Sequence, residues 1–190
     1  MALQDKLQTL FFTTAFQDSL FELQPSTVMQ AQNFYNVPYS YDLLTQHAAG
    51  TAICAVAAVN TASMCNFVAI DFDNHFNDAS VAAANQSQVI TMFNAQSQYN
   101  PVLEASNTYG GYHLWLFLPS PMTAESALTL VQGIAGGGPE TRPSSPCPIG
   151  ATPYSNSNVL RLPGLNPSDE TWSTIYVNGE WVDVRAWGNS

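Results

Sequence analysis

An apolar strand that ends in two aspartates, FVAIDFDNH over residues 67–75, constrains the fold of this chain more than any other segment. Because residues two apart on a strand face the same side, Asp71 and Asp73 should project together from the end of a buried strand. Two like charges beside a core repel each other, and a divalent cation relieves that repulsion. Carboxylate oxygens favour Mg²⁺ or Mn²⁺, so the pattern predicts a metal site. The alternative is a solvated strand end, with Asp73 and Asn74 capping the next helix.

The remaining segments alternate between β-prone apolar runs and helical patterns. Strands are predicted at 51–59, 66–72, 101–106, 112–118, 159–162, 174–177 and 181–184, and helices within 1–24, from 25, and at 41–49, 77–98 and 121–134. Residues 136–158 are rich in Gly, Pro and Ser and predict a long loop. We therefore predict one mixed α/β (α+β) domain over 1–190. Its central, partly antiparallel sheet is flanked by helices, and residues 1–40 form a helical N-terminal extension.

Charge is the second constraint on function. Four Lys+Arg stand against fourteen Asp+Glu, for a net charge of −10, and charged residues are only 9% of the chain. Phosphate neutralisation needs Lys and Arg, so the composition argues against a free-standing protein that binds nucleic acid by charge alone. The 46% of hydrophobic residues also argues against disorder.

Cysteine spacing and hydropathy indicate the cellular compartment in which the chain is expected. Cys54, Cys65 and Cys147 are an odd number without a CxxC pair, which indicates small buried thiols rather than a disulfide framework or zinc site. No apolar run reaches the ~18 residues that span a bilayer, and no secretion signal is visible. We therefore expect a cytoplasmic protein without a membrane partner.

A histidine follows a glycine pair in GGYHLWLFL, residues 110–118. Glycine lets a backbone approach a ligand closely, so Gly111 and His113 are candidates for binding a phosphate oxygen. The alternative for His113 is a core histidine with satisfied hydrogen bonds. His47 and His75 lack such a setting, and we expect both at the surface.

One of the three arginines lies in an apolar strand, in NVLRLPG over residues 158–164. The charge of Arg161 must therefore be paired or face a cleft. Its guanidinium fork suits a phosphate clamp. The alternative is a structural salt bridge, for example with one of the aspartates.

In this order, the aspartate pair, the Gly-x-His strand and the Arg-Leu-Pro-Gly segment resemble the catalytic core of the archaeo-eukaryotic primase superfamily. More narrowly, they are similar to the primase–polymerases of plasmids, phages and other mobile or defence-linked elements. The similarity spans 41–187, and the segments that carry it are QHAAGTAICAV (46–56), FVAIDFDNH (67–75), LEASNTYGGYHLWLFL (103–118) and SNVLRLPGLNPSDETWS (157–173).

The resemblance implies a two-part core with an RRM-like catalytic sheet and template-directed nucleotidyl transfer, as a DNA primase or polymerase in the replication of a mobile element. It implies that Asp71 and Asp73 hold two Mg²⁺ or Mn²⁺ ions. It also implies that His113 contacts the phosphates of the incoming nucleotide, with Arg161 as a further phosphate contact.

The same family has a third acidic residue after its histidine strand. Glu140 is the best candidate because relatives place an acid shortly before a proline there, and Asp183 is its rival. Relatives also carry Lys or Arg near that proline, and Arg142 is the one cation available.

The implied partners are nucleoside triphosphates and a single-stranded DNA template. With so few cations, we expect weak, strongly salt-sensitive template binding unless a helicase or other basic replication partner helps. The alternative function is a non-catalytic nucleotide- or single-stranded-DNA-binding module that kept the fold. A DxD glycosyltransferase is a third candidate, against which the Arg-Leu-Pro-Gly segment speaks.

Overall fold

The structure is a computed structural model that describes residues 1–12, 19–23, 34–74, 77–135, 147–149 and 159–188, with backbone alone at 19 and 147–149. Its helices are α1 (Leu3–Phe11), α2 (Tyr41–Ala48), α3 (Ala79–Ala95), α4 (Ala124–Ala135) and α5 (Val184–Trp187). Its strands are β1 (Ser19–Leu23), β2 (Phe34–Pro38), β3 (Cys54–Ala57), β4 (Met64–Phe72), β5 (Val102–Ala105), β6 (Tyr112–Thr123), β7 (Cys147–Ile149), β8 (Val159–Arg161), β9 (Leu165–Asn166), β10 (Thr171–Trp172), β11 (Thr174–Val177) and β12 (Glu180–Asp183).

The larger sheet has six strands in the order β12-β11-β5-β6-β4-β7. Its centre is the pair of β4 and β6, the two longest strands, which run antiparallel. Helices α3 and α4 cover one face, where Val89 and Val131 pack with Ile70 and Leu114 in a common core. On β4, this core contains Cys65 and, after the irregularity in the strand, Val68, Ile70 and Phe72.

The opposite face of β4 carries Phe67, Ala69 and Asp71, and a second core covers the apolar pair. This core includes Leu7 of α1 and Leu44 of α2. It also reaches the second sheet, whose order is β2-β1-β3-β8. Both faces of β4 are therefore buried, which explains why its sequence is a continuous apolar run rather than an alternating pattern.

These layers confirm the predicted mixed α+β architecture, with sheets flanked by helices. Every pairing between the described strands is antiparallel. The hairpin at residues 178–179 is confirmed as β11–β12, and the hairpin of the Gly-Gly turn as β5–β6.

The helical interpretation of residues 1–40 is wrong for two segments. Helix α1 is present, but residues 19–23 and 34–38 form β1 and β2, which pair with each other. Strand β1 also pairs with β3. Leu20 and Phe21 are adjacent and both fully buried, which a strand inside a sheet explains and an amphipathic helix does not. The helix start predicted at residue 25 lies outside the described residues.

Two smaller features also differ from the sequence prediction. Strand β6 continues through Thr123, so α4 begins later than predicted. The predicted loop over 136–158 contains strand β7, which pairs with the aspartate end of β4. None of the helices in the described ranges is both long and apolar enough to cross a bilayer.

Candidate active site between the two sheets

Asp71 and His113 face each other across the two central strands. They are direct partners in the β4–β6 register, and Asp71 Oδ1 lies 3.7 Å from His113 Nε2. Directly opposed residues share one face of a sheet, which here is the face toward the second sheet. The structure therefore brings together two of the residues singled out from the sequence.

Asp73 follows the end of β4, which the structure places at Phe72. Its backbone carbonyl accepts a hydrogen bond from Asn85 Nδ2 of α3 at 3.2 Å. The same amide nitrogen donates to the carbonyl of Gly110 at 3.1 Å. A buried side chain of α3 thus joins the aspartate segment to the glycine turn.

Glu104 is a member of this centre that the sequence reasoning missed. It lies on β5, directly opposite His113, and its side chain is fully buried. Its Oε2 accepts from His113 Nδ1 at 2.8 Å and from Trp115 Nε1 at 3.1 Å. The available signal was an isolated carboxylate inside the apolar strand VLEA, on the hairpin that also carries the histidine.

Arg161 enters from the second sheet, on β8, and only 9% of it is exposed. Its Nη2 donates to the Ser106 carbonyl at 2.8 Å, and its Nη1 donates to the carbonyls of residues 162, 164 and 165 at 3.4–3.5 Å. Nη1 also lies 4.0 Å from Glu104 Oε1. The geometry matches the salt-bridge alternative for Arg161, with a glutamate rather than an aspartate as its partner.

Charge pairing sets the protonation of these groups. Burial alone would lower the pKa of His113, but the carboxylates of Glu104 and Asp71 outweigh it and raise that pKa above its ordinary value. Burial alone would raise the pKa of Glu104, but His113, Arg161 and the Trp115 hydrogen bond lower it. The centre therefore places the Arg161 guanidinium and a histidine whose protonated form is favoured beside two carboxylates.

The turn between β5 and β6 is held by side-chain hydrogen bonds. Asn107 Oδ1 accepts from the backbone N–H of Tyr109 at 2.8 Å and from that of Gly111 at 2.9 Å. Gly110 has φ +88°, in the left-handed region that favours glycine. The Gly111 amide is therefore part of the turn, and its predicted role in ligand binding stays a prediction.

The structure locates one of the two candidates for the third acidic residue, Asp183, but not the other. Asp183 lies on β12, at the edge of the sheet, with three strands between it and β4. Strands are spaced about 4.8 Å apart, so roughly 19 Å separates the two strands. Asp183 also pairs with Arg185 and caps α5. It cannot share an ion with Asp71. Glu140 and Arg142 lie outside the described residues.

The donor chemistry of Asp71 and Asp73 fits a divalent cation, since both are carboxylates, one near the end of β4 and the other directly after it. Within the described ranges, no group of three or more His, Cys, Asp or Glu side chains has the arrangement of a metal site. Glu140, the third acid that the family resemblance implies, lies outside these ranges, and its role as a metal ligand stays a prediction.

His47 is not at the surface, as the sequence predicted, but fully buried. Its Nδ1 accepts the N–H of Cys54 at 3.1 Å, so Nε2 carries the proton that it donates to the Pro163 carbonyl at 3.2 Å. The ring thereby joins α2 to β3 and to the segment after β8. His75 lies outside the described residues.

Two of the three cysteines are confirmed as buried free thiols. Cys54 and Cys65 lie in the cores, and burial raises their pKa values to about 12 and about 11. They remain protonated and behave as small apolar groups.

The fold and the centre between the sheets define an α+β domain of the primase type. An aspartate-terminated strand pairs with a histidine strand, and an arginine strand closes the opposite side. The chain matches the family AEP-TOTE, described as the archaeo-eukaryotic primase domain of TOTE conflict systems, over residues 11–145. It belongs to that family, which confirms the superfamily resemblance seen in the sequence. No curated protein matches the chain significantly.

Proposed function

We propose that this domain is a metal-dependent nucleotidyltransferase, a DNA primase–polymerase that adds nucleotides to a 3′-hydroxyl on a single-stranded DNA template. The observation that supports it is the opposition of Asp71 and His113 across β4 and β6, 3.7 Å apart and facing the second sheet. This arrangement puts a candidate metal ligand beside a candidate phosphate ligand. Membership of a primase family supports the same reaction class.

In this proposal, Asp71, Asp73 and Glu140 hold two Mg²⁺ or Mn²⁺ ions. When bound, the ions activate the 3′-hydroxyl and neutralise the leaving pyrophosphate. The carboxylates fix the position of the reacting groups, and His113 donates a hydrogen bond from Nε2 to a phosphate oxygen of the nucleotide. Glu104 already occupies Nδ1 of that ring.

Arg161 has a different place in this proposal from the one suggested by its sequence context. Its guanidinium already donates to backbone carbonyls on both sides of the inter-sheet space. We assign it to holding Glu104 and the Ser106 backbone rather than to clamping a phosphate. Arg142 remains the cation proposed to contact the nucleotide.

A primer-extension assay with Mn²⁺ or Mg²⁺ tests the proposal, using nucleoside triphosphates and a primed single-stranded template. Asp71→Asn should reduce incorporation at least about 100-fold, because it removes a charged metal ligand while preserving shape. Asp183→Asn is the matched control, since it removes an aspartate at the far edge of the same sheet. A wild-type chain without incorporation, or an Asp71→Asn variant as active as Asp183→Asn, would contradict the proposal.

The alternative is a non-catalytic nucleotide-binding module. Within the described part of the chain, no group of three or more His, Cys, Asp or Glu side chains has the arrangement of a metal site, which is the observation that favours it. Calorimetry with a nucleoside triphosphate and Mn²⁺ separates the two functions. Binding without turnover supports the module, whereas turnover supports the enzyme. We propose a helicase or other basic replication protein as partner, because the chain carries few cations of its own.

A further inference from the structure

Glu104 is the most deeply buried charged group of the centre, and the proposed reaction gives it no direct role. Its side chain is fully buried, on the strand next to His113 and on the side away from Asp71. A buried carboxylate is costly unless it is paired and hydrogen-bonded. Its contacts therefore indicate what it does.

The first contact is with His113. Glu104 Oε2 lies 2.8 Å from His113 Nδ1, so this ring nitrogen carries a proton and donates it. The other ring nitrogen, Nε2, then faces Asp71 at 3.7 Å. A carboxylate on one nitrogen of a histidine keeps that nitrogen protonated and fixes the orientation of the ring. Trp115 Nε1 donates to the same oxygen at 3.1 Å and holds the carboxylate in place.

The second contact is with Arg161 of the other sheet. Nη1 lies 4.0 Å from Glu104 Oε1, an atom that makes no hydrogen bond within the described residues. The guanidinium is itself anchored by backbone carbonyls, including that of Ser106 at 2.8 Å. The charge of Glu104 is therefore balanced by a fixed cation, without any contribution from a substrate.

We propose that Glu104 is a positioning residue: it holds His113 with Nδ1 occupied and Nε2 presented to the aspartate end of β4. The reason for this orientation rests on the proposed function, in which Nε2 contacts a nucleotide phosphate. Arg161 completes the arrangement by fixing Glu104 from the second sheet.

The hydrogen bond itself is tested without any activity measurement. Proton–nitrogen NMR of ¹⁵N-histidine-labelled protein should show a His113 Nδ1–H resonance at low field that exchanges slowly with water. The signal is assigned with His113→Gln. It should weaken or disappear in Glu104→Gln and persist in Trp115→Phe, which removes the other donor to the same oxygen. A wild-type ring that carries its proton on Nε2 alone would overturn the proposal.

The functional consequence is tested by nucleotide binding and incorporation. Glu104→Gln should weaken nucleotide binding or incorporation at least about tenfold, as loss of an orienting partner typically does. Because Glu104 acts through His113, the double variant with His113→Gln should lose no more than His113→Gln alone. Losses that multiply in the double variant would show an independent role for Glu104 and overturn the proposal.

Glu104→Asp covers the case in which the glutamine variant does not fold. It keeps a carboxylate opposite Arg161 but shortens the side chain by one methylene, which breaks the 2.8 Å contact with His113. It should show the same loss of the Nδ1–H signal. A signal retained in a folded Glu104→Asp protein would contradict the proposal. If the wild-type protein incorporates no nucleotide, the proposed function is wrong. The NMR experiment tests the positioning of His113 independently of that result.

Discussion

The buried imidazole of His47 makes stability depend on pH. Burial, assisted by the charge of Arg161, lowers the pKa of His47 to about 4. In the unfolded chain this pKa is about 6.5. Between these two values the unfolded state binds a proton that the native state does not. Folding stability is therefore complete above the higher pKa and falls as the pH drops toward the lower one.

We expect His47 to contribute about 3 kcal/mol of stability near pH 7 that is lost between about pH 6.5 and 4. Urea unfolding at a series of pH values measures it, with a slope of up to about 1.4 kcal/mol per pH unit. His47→Gln is the control, because its side chain keeps hydrogen-bonding capacity but does not titrate. Carboxylates titrate in both proteins, so the difference in slope isolates His47. Parallel curves would contradict this assignment.

At the residue scale, the sequence was enough to identify candidate site residues that stand beside a clear local pattern. Asp71 and His113 stood out because each interrupts or follows a clear strand signal. The pairing of Glu104 with His113 and with Arg161 depends on tertiary contacts instead. These partners lie 9 and 57 positions away, so only the pairing of β5 with β6 and the approach of β8 bring them together. Local pattern contains no information about that approach.

The β5–β6 turn shows what an element requires of a single residue. Gly110 and Gly179 both have φ near +90°. A Cβ at Gly110 would lie 2.6 Å from the Cα of Ala82 in α3, whereas a Cβ at Gly179 would meet nothing within 4 Å. Both alanine variants bear the backbone strain, but only the first collides with a helix.

We therefore expect Gly179→Ala to cost about 1–2 kcal/mol, the strain of a left-handed alanine. Gly110→Ala should cost about 1–3 kcal/mol more, because α3 must move to accommodate the methyl group. The shift also displaces Asn85, which bonds the Gly110 and Asp73 carbonyls, so nucleotide incorporation should fall only in Gly110→Ala. Urea unfolding of both variants measures the difference. Equal losses of stability would show that the collision is relieved freely.

The elements that the sequence predicted well are those with a complete local signal. Helix α2 has a Ser40 cap and ends before Gly50, and β4 combines an apolar run with its terminal aspartates. Strand β1 lacked such a signal, since its residues continue an apparently helical period. Its strand conformation comes from pairing with β2 and β3. Tertiary pairing overrode local propensity there.

At the scale of the whole molecule, the contacts of the four cations limit how many of them can bind the phosphates of a nucleic acid. Arg161 is buried beside Glu104, and Arg185 is paired with Asp183. Lys6 lies over the Trp187 ring at 4.9 Å, and Arg142 lies outside the described residues. At most two of the four cations, Lys6 and Arg142, are therefore left for phosphate contacts. These ion pairs argue for a shallower salt dependence than the composition alone suggested.

We instead expect weak single-stranded DNA binding with a shallow salt dependence. About two phosphate contacts give a slope of log K against log salt near −1.4, or less than about tenfold between 50 and 200 mM salt. Fluorescence anisotropy with labelled oligodeoxythymidine measures this slope. Tight binding with a steep slope in the wild type would mean that phosphate contacts come from elsewhere, as in a second copy of the chain.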